Sequence, residues 1–152
     1  MDEADLRQPL PGAGVVNASW LGTGLLVGTS AASALAPDTF GMVHAVLSCL
    51  LFAIGTGALL WAYALGVTRS RTDDVSLGGL FFLSGDAAPD EVRRPLRLAL
   101  LVEVVAVVAA ASIRPYTVVA FGILAPMFGL GLMGAWGGRH GRFGPRPAKE
   151  AA

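Results

Sequence analysis

The chain reads as an all-α integral membrane protein, with four transmembrane helices arranged as two hairpins and both termini in the cytoplasm. Three observations lead there. Hydrophobic residues make up 54% of the chain and charged residues only 14%, whereas a typical soluble domain is roughly a quarter charged. The charges crowd the N-terminus, residues 69–97 and the stretch after Gly138, with long runs almost free of charge between them. Of the 11 Lys and Arg residues, Arg114 alone falls on one side of a four-span arrangement. Cytoplasmic loops carry the excess of Lys and Arg, so this split puts both tails and the long loop inside.

Residues 1–14 are acidic and broken by Pro9, Pro11, Gly12 and Gly14, the composition of a flexible cytoplasmic tail. Asp2, Glu3 and Asp5 outweigh Arg7, where a secretory signal would start basic, so the first apolar stretch is expected to be retained. The transmembrane domain is expected over 15–138. Its first span, about 15–36, is rich in small residues. Gly24 and Gly28 form a G-x-x-x-G pair, which lets helix backbones approach closely, and packing within the chain is its expected use. Pro37-Asp38-Thr39 reads as a tight turn in which Asp38 or Thr39 caps the next helix.

The second span, about 40–67, exceeds the roughly 20 residues that cross a bilayer, so it must tilt or project. Trp61 and Tyr63 near its end suit the interfacial aromatic belt. In the cytoplasmic loop 68–95 the apolar patch 75–83 is too short to span. It is expected to lie at the interface, with Phe81, Phe82 and Leu83 among the headgroups. Pro95 places the firm start of the third helix near Leu96. That span, about 96–113, lies between Arg97 and Arg114, which can snorkel to opposite interfaces. The fourth span, about 116–136, is expected to kink at Pro126, and Gly134 and Gly138 give it a second small-residue pair. The basic tail 139–152 is Pro/Gly-rich and is expected to be disordered.

One carboxylate lies inside a span, and an ionisable residue there is a site candidate by default. On a helix, Glu103 shares its face with Ala99, Ala106 and Ala110, while Leu101, Val104, Val105 and Val108 take the other side. It is therefore expected to face other helices. Six residues, roughly 9 Å, separate it from Arg97, and eleven, roughly 16 Å, from Arg114, which sets it in the cytoplasmic half. Equal depth on the other spans nominates Tyr63 and Thr23, so the expected intramembrane polar site is a protonated Glu103 hydrogen-bonded to one of them. His44 should differ from Glu103 in depth by about 15 Å and reads as an interfacial or polar-packing residue. Asp38 and Arg114 are expected to pair across the outer turns. Cys49, the single cysteine, is expected to be buried and inert.

No Ser/His/Asp set, Walker loop, dinucleotide fingerprint or zinc spacing occurs, and a net charge of zero offers no field for nucleic acid. The expected protein is not an enzyme and takes no cofactor or metal. Residues 114–146, RPYTVVAFGILAPMFGLGLMGAWGGRHGRFGPR, resemble the C-terminal half of small four-span membrane proteins of actinobacteria that have no assigned function. The Arg-Pro-Tyr turn, the Gly-rich last span and its GGRHGRFG ending carry that resemblance. It implies a bacterial plasma membrane and brings no site residues with it.

The function expected from these features is that of a non-enzymatic accessory or assembly subunit of a larger bacterial plasma-membrane complex. It would pack through Gly24, Gly28, Ala99, Ala106, Ala110, Gly134 and Gly138. The alternative is a small homo-oligomeric proton- or cation-coupled transporter or channel that uses Glu103. Membrane lipids, and either another membrane protein or further copies of the chain, are the expected partners.

Overall fold

Gly12, at φ 76°, turns the chain into helix α1, Ala13–Leu35. The computed structural model describes residues 12–146. The tail expected to be flexible at 1–11 and the end of the basic tail at 147–152 lie outside the described residues. Ala36 alone separates α1 from α2, Pro37–Arg69. Pro37 takes the first helical position, where its missing N–H costs nothing, so the expected turn at 37–39 is instead the first turn of α2, and no side chain caps it. A short helix α3, Leu77–Phe82, follows in the loop and is capped by Ser76, whose Oγ accepts from Gly79 N at 2.9 Å.

Helix α4 runs from Asp90 to Ile113. It begins well before Leu96, with Pro95 inside it at the loss of one backbone hydrogen bond. The last span is discontinuous. A 3-10 helix, Val118–Leu124, breaks at Ala125 and Pro126 and resumes as α5, Met127–His140. The expected kink at Pro126 is thus a change of helix type.

The four long segments form a ring in which α1 lies between α2 and α4, and the last span closes the other side between the same two. The pairing of α2 with α5 is the closest. Gly55 and Gly131 meet there backbone to backbone, and a Cβ on either would collide with main-chain atoms of the other helix. Polarity is inverted relative to a soluble domain. Leu21, Met42, Leu50, Leu101, Phe121 and Ile123 face outwards, while Ser19, Thr23, Ser33, His44, Ser48 and Glu103 are buried. This is the arrangement that hydrocarbon surroundings favour. α2, α4 and the stretch Val118–His140 are each long and apolar enough to cross a membrane. α1 has the length but not their apolarity, because Asn17, Ser19, Thr23, Thr29, Ser30 and Ser33 lie within it.

Three expectations about the loop end of the bundle change. The 75–83 patch packs inwards: Leu83 is buried with Val92, Leu96, Met133 and Trp136, and Phe81 lies against Gly134. Phe82 stays exposed, and Arg97 donates to its carbonyl at 2.9 and 2.7 Å, closing the C-terminal end of α3 instead of reaching out to the interface. Residues 139 and 140 are helical, and 141–146 fold back along the loop. There Arg142 N donates to Ala87 O at 3.0 Å and Asp74 N to Gly144 O at 2.8 Å. Arg69 ties this end together, donating to Gly138 O and Gly141 O at 3.2 and 2.9 Å and lying 5.0 Å from the Phe143 ring centre.

Gly55→Ala is expected to lower stability by about 1–3 kcal/mol through overpacking. Gly57→Ala, on the same helix with no atom within 4 Å of a new Cβ, is expected to leave it unchanged. Thermal unfolding in detergent, followed by circular dichroism, compares the two.

Candidate functional site

The interior polar groups fall into two layers. In the first, Glu103 of α4 is 1% exposed and its Oε1 lies 2.9 Å from Thr23 Oγ1 of α1. Thr23 Oγ1 is also 2.8 Å from Ser19 O. A threonine hydroxyl has one proton to give. That proton goes to Glu103 Oε1 or to Ser19 O, one at a time. The other carboxyl oxygen, Oε2, is buried without a hydrogen-bond partner of normal geometry and faces the first turn of α5. Gly129 occupies that turn, and a Cβ there would stand 2.6 Å from Oε2. The backbone amide of Gly129 is directed at the carboxyl, as the free N–H groups of a helix start can be.

In the second layer, His44 of α2 is 0% exposed and its Nδ1 lies 3.2 Å from Thr29 Oγ1 of α1. Thr29 Oγ1 is also 2.9 Å from Leu25 O, and which of Thr29 and His44 donates is set by the imidazole tautomer. Nε2 faces the 3-10 helix at Val119 and Gly122 without a hydrogen bond of normal geometry, and a Cβ on Gly122 would sit 2.5 Å from it. Ser48 lies one turn further along α2 and is buried with its hydroxyl unpartnered.

An apolar layer of Leu26, Leu51, Val107, Ala125 and Phe128 packs between these two. The register is shared by every long segment. α1 runs Thr23, Leu26, Thr29; α4 runs Glu103, Val107; the last span runs Gly122, Ala125, Phe128, Gly129.

Thr23 therefore stands where the depth count placed it, and Tyr63 does not. Tyr63 is 54% exposed on the outer face of α2, and α2 is diagonally opposite α4 in the ring, out of reach of Glu103. Ala99 and Ala110 are buried on the Glu103 face, whereas Ala106 is only half-buried and lines an open groove with Ala31 and Ala109. Gly134 and Gly138 pack within the chain, against Phe81 and Leu65 respectively. Gly24 and Gly28 do not: both are exposed, with no atom within 4 Å of a would-be Cβ. Asp38 and Arg114 form no ion pair among the described residues. Arg114 Nε instead donates to Ala34 O at 3.1 Å, at the carbonyl end of α1, where a cation is favoured. Cys49 is exposed on the lipid-facing side of α2.

The depth argument separated His44 from Glu103 too widely. Their threonine partners are six residues apart on α1, about 9 Å of rise. The signal that could have found His44 was the i, i+4 pair His44–Ser48 facing the hydroxyl stripe of α1. Among the described residues no three His, Cys, Asp or Glu side chains gather to hold a metal ion. Comparison with protein-family models, with curated proteins and with solved structures finds no match to the chain.

Thr23→Val removes the hydroxyl and is expected to cost about 1–3 kcal/mol, the range for a buried polar group left unpaired. Thr23→Ser should recover most of that loss. Equal unfolding temperatures for the wild type and Thr23→Val would show that the Glu103–Thr23 contact holds nothing in place.

Proposed function

We propose that this chain is a four-span, non-enzymatic subunit of a larger plasma-membrane complex in a bacterium, with both termini cytoplasmic, and that it docks through the outer face of α1. One observation carries the reading. The G-x-x-x-G pair Gly24–Gly28 is left open, while Gly55, Gly131, Gly134 and Gly138 are consumed by internal contacts. Ala31 continues the open stripe one turn on and joins Ala106 and Ala109 of α4 in a shallow groove. A surface of small residues facing lipid supports close approach by a partner's transmembrane helix.

The charge distribution supports the orientation. Arg69, Arg93, Arg97 and Arg146 make their contacts at the loop end of the bundle, and Arg114 lies at the opposite end. α1 completes the fourth span on this reading, its hydroxyls turned inwards and its apolar side outwards.

A cation-coupled role for Glu103 is disfavoured by the site's chemistry. Oε2 faces the amide end of α5, which carries positive partial charge, and among the described residues no three His, Cys, Asp or Glu side chains gather there to hold a metal ion. An exchangeable proton on the carboxyl needs no such further ligands.

Purification of tagged protein in mild detergent is expected to bring down a membrane-protein partner or a homo-oligomer reproducibly, and Gly28→Leu to release it without unfolding the chain. A lone monomer for the wild type would sink the assembly reading. In a Cys49→Ser background, Ser84→Cys should react with an impermeant thiol reagent only from the cytoplasmic side and Thr117→Cys only from the outside. The reverse labelling would invert the topology.

A further inference from the structure

We infer that the interior of the bundle is a proton path with two stations, Glu103 and His44, closed between them by the apolar layer of Leu26, Leu51, Val107, Ala125 and Phe128. The inference rests on the choice of a proton at Glu103 and not on the assembly reading.

Each station is fully buried, makes one hydrogen bond of normal geometry to a threonine of α1, and turns its second polar atom to a backbone group of the last span, Val119 or Gly129, short of normal hydrogen-bond geometry. Such atoms are rare in folded proteins and ask for a reason. Both are aimed at the same element: Nε2 of His44 at Gly122, and Oε2 of Glu103 at Gly129. These two glycines flank the break at Ala125–Pro126, where the last span changes helix type. A purely structural polar contact would be served by pairing both atoms. Here the second atom of each has only a poorly aligned backbone neighbour, and that neighbour belongs to the one span that is discontinuous. Broken helices with polar groups gathered at the break are how membrane proteins place ions at mid-depth.

The path continues towards both ends along α1. Ser19 precedes Thr23 by one turn, and Ser30 and Ser33 follow Thr29, all buried, with the Ser19 and Ser30 hydroxyls unpartnered. Among the described residues no other titratable side chain faces either station from the elements packed on it: α1 presents Thr23 and Thr29, the 3-10 helix Val119 and Gly122, and α5 Phe128 and Gly129. The nearest charges on the stations' own helices are Arg97, held by Phe82 O, and the exposed Asp38. In operation, a proton taken up on the ring makes His44 an imidazolium. Glu103, neutral at rest, first releases its proton to the cytoplasmic side, and transfer from the imidazolium to the resulting carboxylate restores the neutral imidazole and the neutral acid. Movement of the last span about its break would part Ala125 and Phe128 from Leu26 and let the two layers connect.

The test uses the purified full-length chain in vesicles of phosphatidylethanolamine and phosphatidylglycerol, loaded with potassium and a pH-sensitive dye. Valinomycin imposes an inside-negative potential. Wild type is expected to acidify the lumen several-fold faster than protein-free vesicles, equally with sodium or choline outside. Glu103→Gln and His44→Gln are each expected to return the rate to that of protein-free vesicles while eluting as wild type on size exclusion. Leu26→Ala, which thins the barrier, is expected to raise it several-fold. Wild-type vesicles no faster than empty ones, or either Gln variant conducting like wild type, would overturn the inference. If Glu103→Gln does not fold, His44→Gln decides. Conduction by a lone monomer would contradict the assembly reading alone, and absence of conduction with a partner still captured would contradict this inference alone.

Discussion

A polar atom withdrawn from water has to be answered by its neighbours, and in this bundle that requirement organises the packing. Leaving a carboxyl or an imidazole without partners in hydrocarbon costs several kcal/mol, so Glu103 and His44 each need a donor or acceptor delivered by another helix. α1 supplies both, through Thr23 and Thr29. Supplying them makes α1 rich in hydroxyls, and it is the one long segment that falls short of the apolarity needed to cross a membrane. On the far side the last span has to come close without filling the space, and glycines at 122 and 129 allow that. The same span must also approach α2, where Gly131 meets Gly55. A continuous helix with a Cβ at each of these positions would satisfy none of the three.

Most of the bundle was legible from residue order and composition, because hydropathy and the placement of arginines constrain a membrane chain strongly. The alanine face of Glu103 and its level with Thr23 followed from helical spacing alone. Tyr63 was misassigned because depth sets only one coordinate. Which way a side chain points round its helix depends on the ring order α1–α2–last span–α4, and residue counts do not contain that order. Arg114 was misassigned for a related reason: a nearby backbone carbonyl at a helix end competes with a distant carboxylate, and the nearer acceptor won. The 75–83 patch looked interfacial because its partners, Gly66, Gly134 and Gly137, lie far away in sequence and offer slots for Leu80 and Phe81. His44 looked isolated for the same reason, since Thr29 and Gly122 reach it from two other segments.

The inside and the outside of the molecule divide the work. Inwards, polar layers and glycine contacts hold four segments in register. Outwards, large apolar side chains dominate, and along Gly24, Gly28 and Ala31 the surface is small and open. Arg69 and Arg97 meanwhile close the loop end by saturating helix-end carbonyls, which stiffens the platform from which α2, α4 and α5 leave.

The central claim is that Glu103 sits in the interior as the neutral acid, bonded to Thr23. Infrared spectroscopy of the reconstituted protein at neutral pH tests it most directly. The account predicts a protonated carboxylic-acid carbonyl band that is absent from Glu103→Gln and shifted in Thr23→Val. An ionised-carboxylate signal in its place, lost in Glu103→Gln and unmoved by Thr23→Val, would contradict it.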